Sequence, residues 1–180
     1  MARIIILGSA AAVSDATHDN THFLLVGEDG PVLIDCGSNP LGKINRLGIG
    51  TESLQDIILT HFPPDHVSGV PTMLMHLWLL GRQAPLRVYG LNHCINRTED
   101  MMLAFAWDTW PGFFPISFYR VMERASAPVL DNPDFRITAW PTRHFIPTIG
   151  LRIENKRTGK VLAYSCDTEP IPALLDLARD

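Results

Sequence analysis

Short apolar runs separated by polar or glycine-containing turns recur along the whole chain. Runs of this length and composition are typical of buried strands. They predict strands at residues 3–7, 22–26, 32–34, 54–60, 86–89, 135–140, 149–154 and 161–165. The second and third strands are joined by Glu28-Asp29-Gly30-Pro31, whose Asp-Gly pair is a strong signal for a hairpin turn.

Longer segments have the length and ends of helices, and they predict helices at residues 70–80, 98–107 and 171–178. Gly81 closes the first of them, and Thr98 is a plausible N-cap for the second. The strands come first in hairpins and later alternate with helices, which indicates a mixed α+β protein. Too many strand pairs lack a helical crossover for a doubly wound parallel sheet, so the pattern favours a layered sandwich.

Composition narrows the class of protein. The chain has 180 residues, 46% of them hydrophobic, which predicts one folded domain over residues 1–180 and excludes a disordered chain. No apolar run approaches the ~20 residues of a membrane span, and the first is too short for a secretory signal. Cys36, Cys94 and Cys166 are odd in number and far apart, which suits a reducing cytoplasm. The net charge of −4 disfavours nucleic acid as a partner.

The segment Thr60-His61-Phe62-Pro63-Pro64-Asp65-His66 carries the most chemical information. It places two imidazoles and a carboxylate within six residues, on the turn between a predicted strand and a helix. Neutral imidazole nitrogens and carboxylate oxygens are suitable ligands for zinc. The alternative is a polar loop in which Asp65 merely caps the following helix.

Two further polar residues follow predicted strands. His144 comes after the strand at 135–140, and Asp167 comes after the strand at 161–165. An α/β scaffold often places functional side chains at strand ends. Each residue alone is typical of a surface or capping position, but the ordered set with His61, Asp65 and His66 indicates a metal site.

With these residues in place, the chain resembles the metallo-β-lactamase superfamily, and within it the ribonuclease Z and arylsulfatase-like branch. The matching blocks are Leu7-Gly8-Ser9-Ala10, Leu33-Ile34-Asp35-Cys36-Gly37, the stretch from His61 through Gly69 to Val88-Tyr89-Gly90, His144 with Gly150, and Asp167 with Thr168. The resemblance covers nearly the whole chain.

The resemblance implies an αββα sandwich with a dinuclear zinc site at one edge, between two sheets. It further implies that His61 and His144 bind one metal, that Asp65 and His66 bind the other, and that Asp167 bridges them. Asp65 would also orient or deprotonate the attacking water. Asp35 would support the metal loop by hydrogen bonding without binding metal.

The chain departs from the family pattern in two places. The second histidine of the family's His-x-His-x-Asp-His loop is replaced by Pro63, and the sequence stops at Asp180, before the strand that carries the family's last metal-binding histidine. The expectation is therefore a sandwich whose second half is incomplete at the C-terminus, with one or two zinc ions and a full dinuclear site disfavoured. Such an incomplete fold would self-associate, or be completed by a segment outside the sequence.

The resemblance also bears on the substrate. Family members that process tRNA carry a long arm between the third and fourth metal motifs, whereas Asp167 follows His144 by only 23 positions. The favoured function is therefore a metal-dependent hydrolase of a small ester, namely a phosphodiester, sulfate ester or lactone. The alternatives are a tRNA 3′-processing endoribonuclease and a metal-depleted, non-catalytic binding module.

The aromatic run at residues 107–118, interrupted by Pro111, Gly112 and Pro115, predicts an irregular loop. It would either line an apolar substrate pocket, or pack over the sandwich edge or at a dimer interface. The expected partners are thus a small ester substrate and a possible second copy of the chain, with no membrane.

Overall fold

Two sheets face each other in the computed structural model, which describes residues 2–179. The first sheet has six strands in chain order: β1 (Arg3–Gly8), β2 (His22–Val26), β3 (Pro31–Ile34), β4 (Asp56–Ile58), β5 (Leu86–Leu91) and β6 (Ile116–Val121). Strands β1 to β3 are antiparallel, and β3 to β6 are parallel. The carboxyl ends of β3 to β6 therefore meet at one edge of the sheet.

The second sheet is antiparallel, with the spatial order β10-β9-β8-β7. Its strands are β7 (Ala127–Asp131), β8 (Phe135–Pro141), β9 (Ile149–Asn155) and β10 (Val161–Tyr164). Because β9 lies between β8 and β10 and runs opposite to both, these two strands end at the same edge.

Within residues 2–179, five α-helices cover the sheets: α1 (Leu41–Arg46), α2 (Pro64–Val67), α3 (Gly69–Leu79), α4 (Asn92–Ala104) and α5 (Ala173–Ala178). Two short 3-10 helices span Thr51–Ser53 and Trp107–Thr109. The apolar faces of α1, α3 and α4 pack on the outer face of the first sheet. A second apolar core fills the space between the sheets, and α5 packs on β9 and β10. The layers thus run helix, sheet, sheet, helix, which confirms the predicted αββα sandwich. No helix within residues 2–179 combines the length and the apolar character needed to cross a bilayer.

The hairpin predicted at Asp29-Gly30 is present, because β2 and β3 pair in register and Gly30 has a φ of 118°. The predicted boundaries of the second helix were wrong. The helix predicted at residues 98–107 begins at Asn92, and Thr98 is buried in its interior, where its hydroxyl donates to the carbonyl of Cys94 at 2.9 Å. A threonine hydroxyl inside a helix can donate a hydrogen bond to a carbonyl of the preceding turn in this way, so a threonine does not by itself mark a helix start.

Strands β6 and β7 were not predicted. Both are edge strands, whose mixed apolar and polar residues lack the strong pattern of central strands. The run at residues 107–118 is consequently only partly a loop, since its last three residues belong to β6. Pro128 lies in β7 next to an irregularity in its pairing with β8, a location that edge strands tolerate.

The aromatic run packs against the helix layer, away from the candidate site. Trp110 stacks on Trp78 with the ring centroids 5.0 Å apart, and Trp78 Nε1 donates to the Pro111 carbonyl at 2.9 Å. Trp78 lies nine residues along α3 from Gly69, which corresponds to about 14 Å along the helix axis. The loop therefore packs over the helix layer of the sandwich, which corresponds to the packing alternative.

Candidate metal centre

The candidate site forms where the ends of β3, β4, β8 and β10 meet. Asp35 follows β3, His61 follows β4, His144 follows β8 and Asp167 follows β10. The two sheets are joined here by a hydrogen bond from the Ile149 amide to the Thr60 carbonyl at 3.2 Å. Strand ends thus bring together side chains that are more than 100 residues apart in the sequence.

The turn after β3 packs directly on the loop that carries Asp65 and His66. The Cys36 amide donates to the His66 carbonyl at 2.7 Å. A Cβ atom at Gly37 would lie 1.8 Å from the Asp65 carbonyl oxygen, so only glycine fits there. This close approach fixes α2 beneath the site. Asp65 lies in the first turn of α2 without capping it by a side-chain hydrogen bond, which leaves its carboxylate available.

Among the residues that the structure describes, His61, His144 and Asp167 form one group whose ligand atoms lie within 4.8 Å of one another, and Asp65, His66 and Asp167 form another. Asp167 Oδ2 lies 4.0 Å from His61 Nε2, and its Oδ1 lies 3.7 Å from His66 Nε2. Donors bonded tetrahedrally to one zinc ion are about 3.4 Å apart, so modest adjustments bring these atoms to bonding geometry. The carboxylate of Asp167 therefore faces both groups at once.

Two imidazole nitrogens of this site are buried without a hydrogen-bond partner among residues 2–179. They are His61 Nε2 and His144 Nε2. A buried polar atom without a partner costs about 1–3 kcal/mol, a cost that a bound cation would remove. Both nitrogens belong to the donor group formed by His61, His144 and Asp167, so the residues present fit a bound cation.

The electrostatics of the two central histidines differ. Burial, with smaller contributions from His66 and His144, lowers the pKa of His61 to about 3, which keeps this imidazole neutral as a metal ligand requires. Burial opposes the charged form of His66 as well. For His66, however, the hydrogen bond and charge of Asp35, together with the charges of Asp65 and Asp167, outweigh burial and raise its pKa above the usual value. The negative field that favours a proton on His66 also favours a metal cation beside it.

Asp35 lies beneath both histidines and is fully buried. Its Oδ2 accepts a hydrogen bond from His66 Nδ1 at 2.8 Å, so the other nitrogen of His66 points toward Asp65 and Asp167. Asp35 adopts a φ of 58°, a left-handed conformation that aspartate tolerates better than most residues. Its placement matches the supporting role that the resemblance implied.

Sequence analysis missed two residues at the site, Thr60 and Cys166. The Thr60 hydroxyl donates to Asp35, and the Cys166 thiol donates to the Thr60 oxygen at 3.0 Å. Burial raises the pKa of Cys166, so the thiol keeps its proton although it lies close to His61 and His66. The available signal for Thr60 was its position as the polar residue between an apolar strand and the first histidine.

A second pair of loops holds His144 and Asp167 in relation to each other. The Thr142 hydroxyl donates to the Asp167 carbonyl at 3.2 Å, and the Glu169 amide donates to the Arg143 carbonyl at 2.8 Å. The ring of Phe145, which is 79% exposed, lies beside His144 at a centroid distance of 4.3 Å. The site is therefore open to solvent on the side of Phe145 and Asp167.

The sandwich and its paired histidine and aspartate groups place the chain in the metallo-β-lactamase superfamily, in the ribonuclease Z branch. Within that superfamily, the profile described as "Anti-Pycsar protein Apyc1" matches residues 2–180. The chain belongs to this Apyc1 family.

Curated relatives agree with the branch. Ribonuclease Z of Methanothermobacter thermautotrophicus is 26% identical over 99% of this chain and 57% of its own length. Ribonuclease Z of Mycobacterium marinum is 29% identical over 99% of this chain and 67% of its own length. The chain thus spans 57% and 67% of the length of these two relatives, and 51% of ribonuclease Z from Methanosarcina mazei.

Solved structures share the fold at lower identity. The short form of human tRNase Z superposes with a TM-score of 0.76 at 21% identity, covering 93% of this chain and 70% of that chain. The metallo-β-lactamase fold protein YhfI from Bacillus subtilis also has a TM-score of 0.76, at 20% identity, over 98% of this chain and 68% of its own.

Pro63 occupies the position of the missing family histidine. It is half-buried, it precedes the first turn of α2, and its carbonyl accepts the His66 amide at 2.9 Å. A histidine can keep this carbonyl bond and add an imidazole, so we expect Pro63→His to raise the zinc content per chain. Elemental analysis of protein purified without chelator measures it. Pro64→His, at the neighbouring exposed position, is the control, and equal zinc in Pro63→His and the wild type would contradict the expectation.

Proposed function

We propose that the chain is a zinc-dependent hydrolase of small phosphodiesters, with His61, His144, Asp65, His66 and Asp167 as its metal ligands. The observation that carries the proposal is the placement of Asp167, whose two oxygens face two donor groups. The unpartnered nitrogens of His61 and His144 support it independently. Zinc held by such a set lowers the pKa of a bound water to ~7 and polarises a phosphoryl oxygen.

The side chains of the site would bind the metal, balance its charge and move the proton of the attacking water. His61 and His144 supply neutral nitrogens, while Asp167 and Asp65 supply negative charge that offsets that of the cation. Asp65 Oδ2 lies 3.4 Å from His66 Nε2, and this partly buried carboxylate can orient or deprotonate the attacking water. Asp35 has no access to solvent, and its contribution is to hold His66 and the loop after β4.

The neighbouring surface suits a small substrate. A cleft of about 750 Å³ opens at the carboxyl ends of β5 and β6, on the same sheet edge as the site. Its charged lining is mixed, with Arg97 and Arg120 beside Asp100 and Glu123. This volume is typical of small-molecule clefts, and the ends of parallel strands are where α/β sheets commonly bind ligands.

Cleavage of precursor tRNA is the second candidate, because the curated relatives are named ribonuclease Z. Two features disfavour it. The residues between His144 and Asp167 are largely taken up by the β9–β10 hairpin, and nothing in them projects far enough to hold a folded RNA. The chain also carries a net charge of −4, whereas tRNA binding draws much of its affinity from neutralised phosphates.

Asp65→Asn tests the proposal. Asparagine keeps the size of the aspartate side chain and an oxygen that can bind metal, but it cannot accept the proton of the attacking water. We therefore expect kcat to fall about 100-fold. Hydrolysis of bis(p-nitrophenyl) phosphate and of a 3′,5′-cyclic mononucleotide is measured beside cleavage of a precursor tRNA, with zinc content determined in the same samples. Asp108→Asn, at an exposed site on the helix layer, is the control.

Zinc-loaded wild type that hydrolyses neither small diester would overturn the proposal. Cleavage of the precursor tRNA at a much higher kcat/KM than either small diester would favour the second candidate. Full activity in Asp65→Asn would remove Asp65 from the mechanism.

A further inference from the structure

The hydroxyl of Thr60 lies at the centre of a hydrogen-bond network beneath the candidate metal ligands. Its oxygen is 2.8 Å from Asp35 Oδ2, 3.1 Å from His61 Nδ1 and 3.0 Å from Cys166 Sγ. Thr60 is fully buried, so water does not compete for these contacts. The three neighbours together use the full hydrogen-bonding capacity of one hydroxyl group.

The direction of each bond follows from counting protons. A hydroxyl has one proton to donate and two lone pairs to accept with, whereas a carboxylate can only accept. The Thr60 proton must therefore go to Asp35. The Thr60 oxygen then accepts from its other two neighbours, which are the Cys166 thiol and the imidazole of His61. All three contacts are satisfied together when His61 carries its proton on Nδ1. In the opposite tautomer the Cys166 thiol, 3.8 Å from Nδ1, could donate to that nitrogen only by giving up its shorter bond to Thr60.

A proton on Nδ1 leaves the lone pair of His61 on Nε2. That nitrogen is the one that faces Asp167 and has no hydrogen-bond partner in the part of the chain that the structure describes. The opposite tautomer would put two lone pairs against each other at Thr60 and a proton where the metal should bind. The orientation of the Thr60 hydroxyl thus decides whether His61 can act as a ligand.

We infer that Thr60 is a positioning residue, whose hydroxyl relays the charge of Asp35 to His61 and fixes the tautomer that binds metal. Asp35 fixes His66 by direct contact with Nδ1 and fixes His61 through Thr60. One buried carboxylate therefore prepares a histidine of each donor group. Fixing the tautomer of a ligating histidine through its second nitrogen is a general device of metal sites.

The inference rests on the proposed function, but its first test does not need bound metal. Nitrogen-15 NMR of the imidazoles in metal-free protein reports which nitrogen of His61 carries the proton. We expect the Nδ1–H tautomer in the wild type and in Thr60→Ser, and a mixture or the Nε2–H tautomer in Thr60→Val. The Nε2–H tautomer in the wild type would overturn the inference even if every variant failed to fold.

Zinc affinity supplies the second test. Loss of an outer hydrogen-bond partner weakens metal binding about 10- to 100-fold. We expect a loss of this size in Thr60→Val and recovery to within a few-fold in Thr60→Ser. Equal affinity in Thr60→Val and Thr60→Ser would overturn the inference. A wild type with the expected tautomer but no zinc binding would instead count against the proposed function alone.

Discussion

Asp167→Ala is expected to remove zinc from the protein and to lower kcat/KM for a small phosphodiester by about 1000-fold or more. The side chain contributes one oxygen to each donor group, so its removal leaves each group with only two donors. Two donors hold zinc far more weakly than the three protein ligands of a catalytic site. Loss of the several kcal/mol that a metal supplies to the transition state corresponds to about 1000-fold in rate.

Elemental analysis and steady-state kinetics on the same preparations measure this prediction. Glu169→Ala is the matched control, because it removes an exposed carboxylate two residues away whose nearest cation is Arg143. Asp167→Asn separates charge from volume, and we expect it to be intermediate in zinc content. Wild-type zinc content in Asp167→Ala would show that Asp167 is not a ligand, and the bridging assignment would then be wrong.

Arg82→Met is expected to destabilise the fold by about 3 kcal/mol or more. Arg82 is 1% exposed, and its guanidinium donates to four backbone carbonyls, those of Thr51, Leu54, Ala84 and Pro85. No carboxylate oxygen is among its hydrogen-bond acceptors within residues 2–179. Methionine has a similar length but no donor, so the buried carbonyl of Leu54 would lose its guanidinium partner, as would those of Ala84 and Pro85. The Thr51 carbonyl would keep its bond from the Leu54 amide.

Equilibrium unfolding in urea measures the effect, with the slope of the transition checked for constancy. Gln83→Met is the control, because its exposed amide makes a local contact at 3.2 Å to the Gly81 carbonyl. Arg82→Lys should lie between the two, since an ammonium group satisfies fewer of the fixed directions. A loss below 1 kcal/mol in Arg82→Met would mean that the loop before β4 and the one before β5 are held by other contacts.

The role of Arg82 illustrates a limit of sequence reasoning. The residue follows a glycine at a helix end, where an arginine is usually solvent-exposed, and nothing in its neighbourhood predicts burial. The carbonyls it binds come from two separate segments, residues 51–54 and 84–85, which meet only when β4 and β5 pair. The identity of its partners is therefore a product of sheet formation.

The sequence by itself determined the class of fold and the candidate ligands. Central strands such as β3 and β9 are apolar because they are buried against helices or the facing sheet, and this pattern can be read locally. His61, Asp65 and His66 lie within six residues of one another, so their convergence needs only one turn between a strand and a helix. The edge strands β6 and β7 escaped prediction because partial exposure weakens their hydrophobic pattern.

The resemblance implied how the five candidate ligands divide into two groups, but only the tertiary structure brings the two groups together around Asp167. His144 and Asp167 reach His61 only because β8 and β10 end at the edge where β4 ends, and because a hydrogen bond from Ile149 to Thr60 joins the sheets. The same docking brings Cys166 to Thr60 across 106 positions of sequence. A hydrogen bond forms or fails on differences of a few tenths of an ångström in the distance between atoms on different strands, and no local pattern of residues encodes such differences.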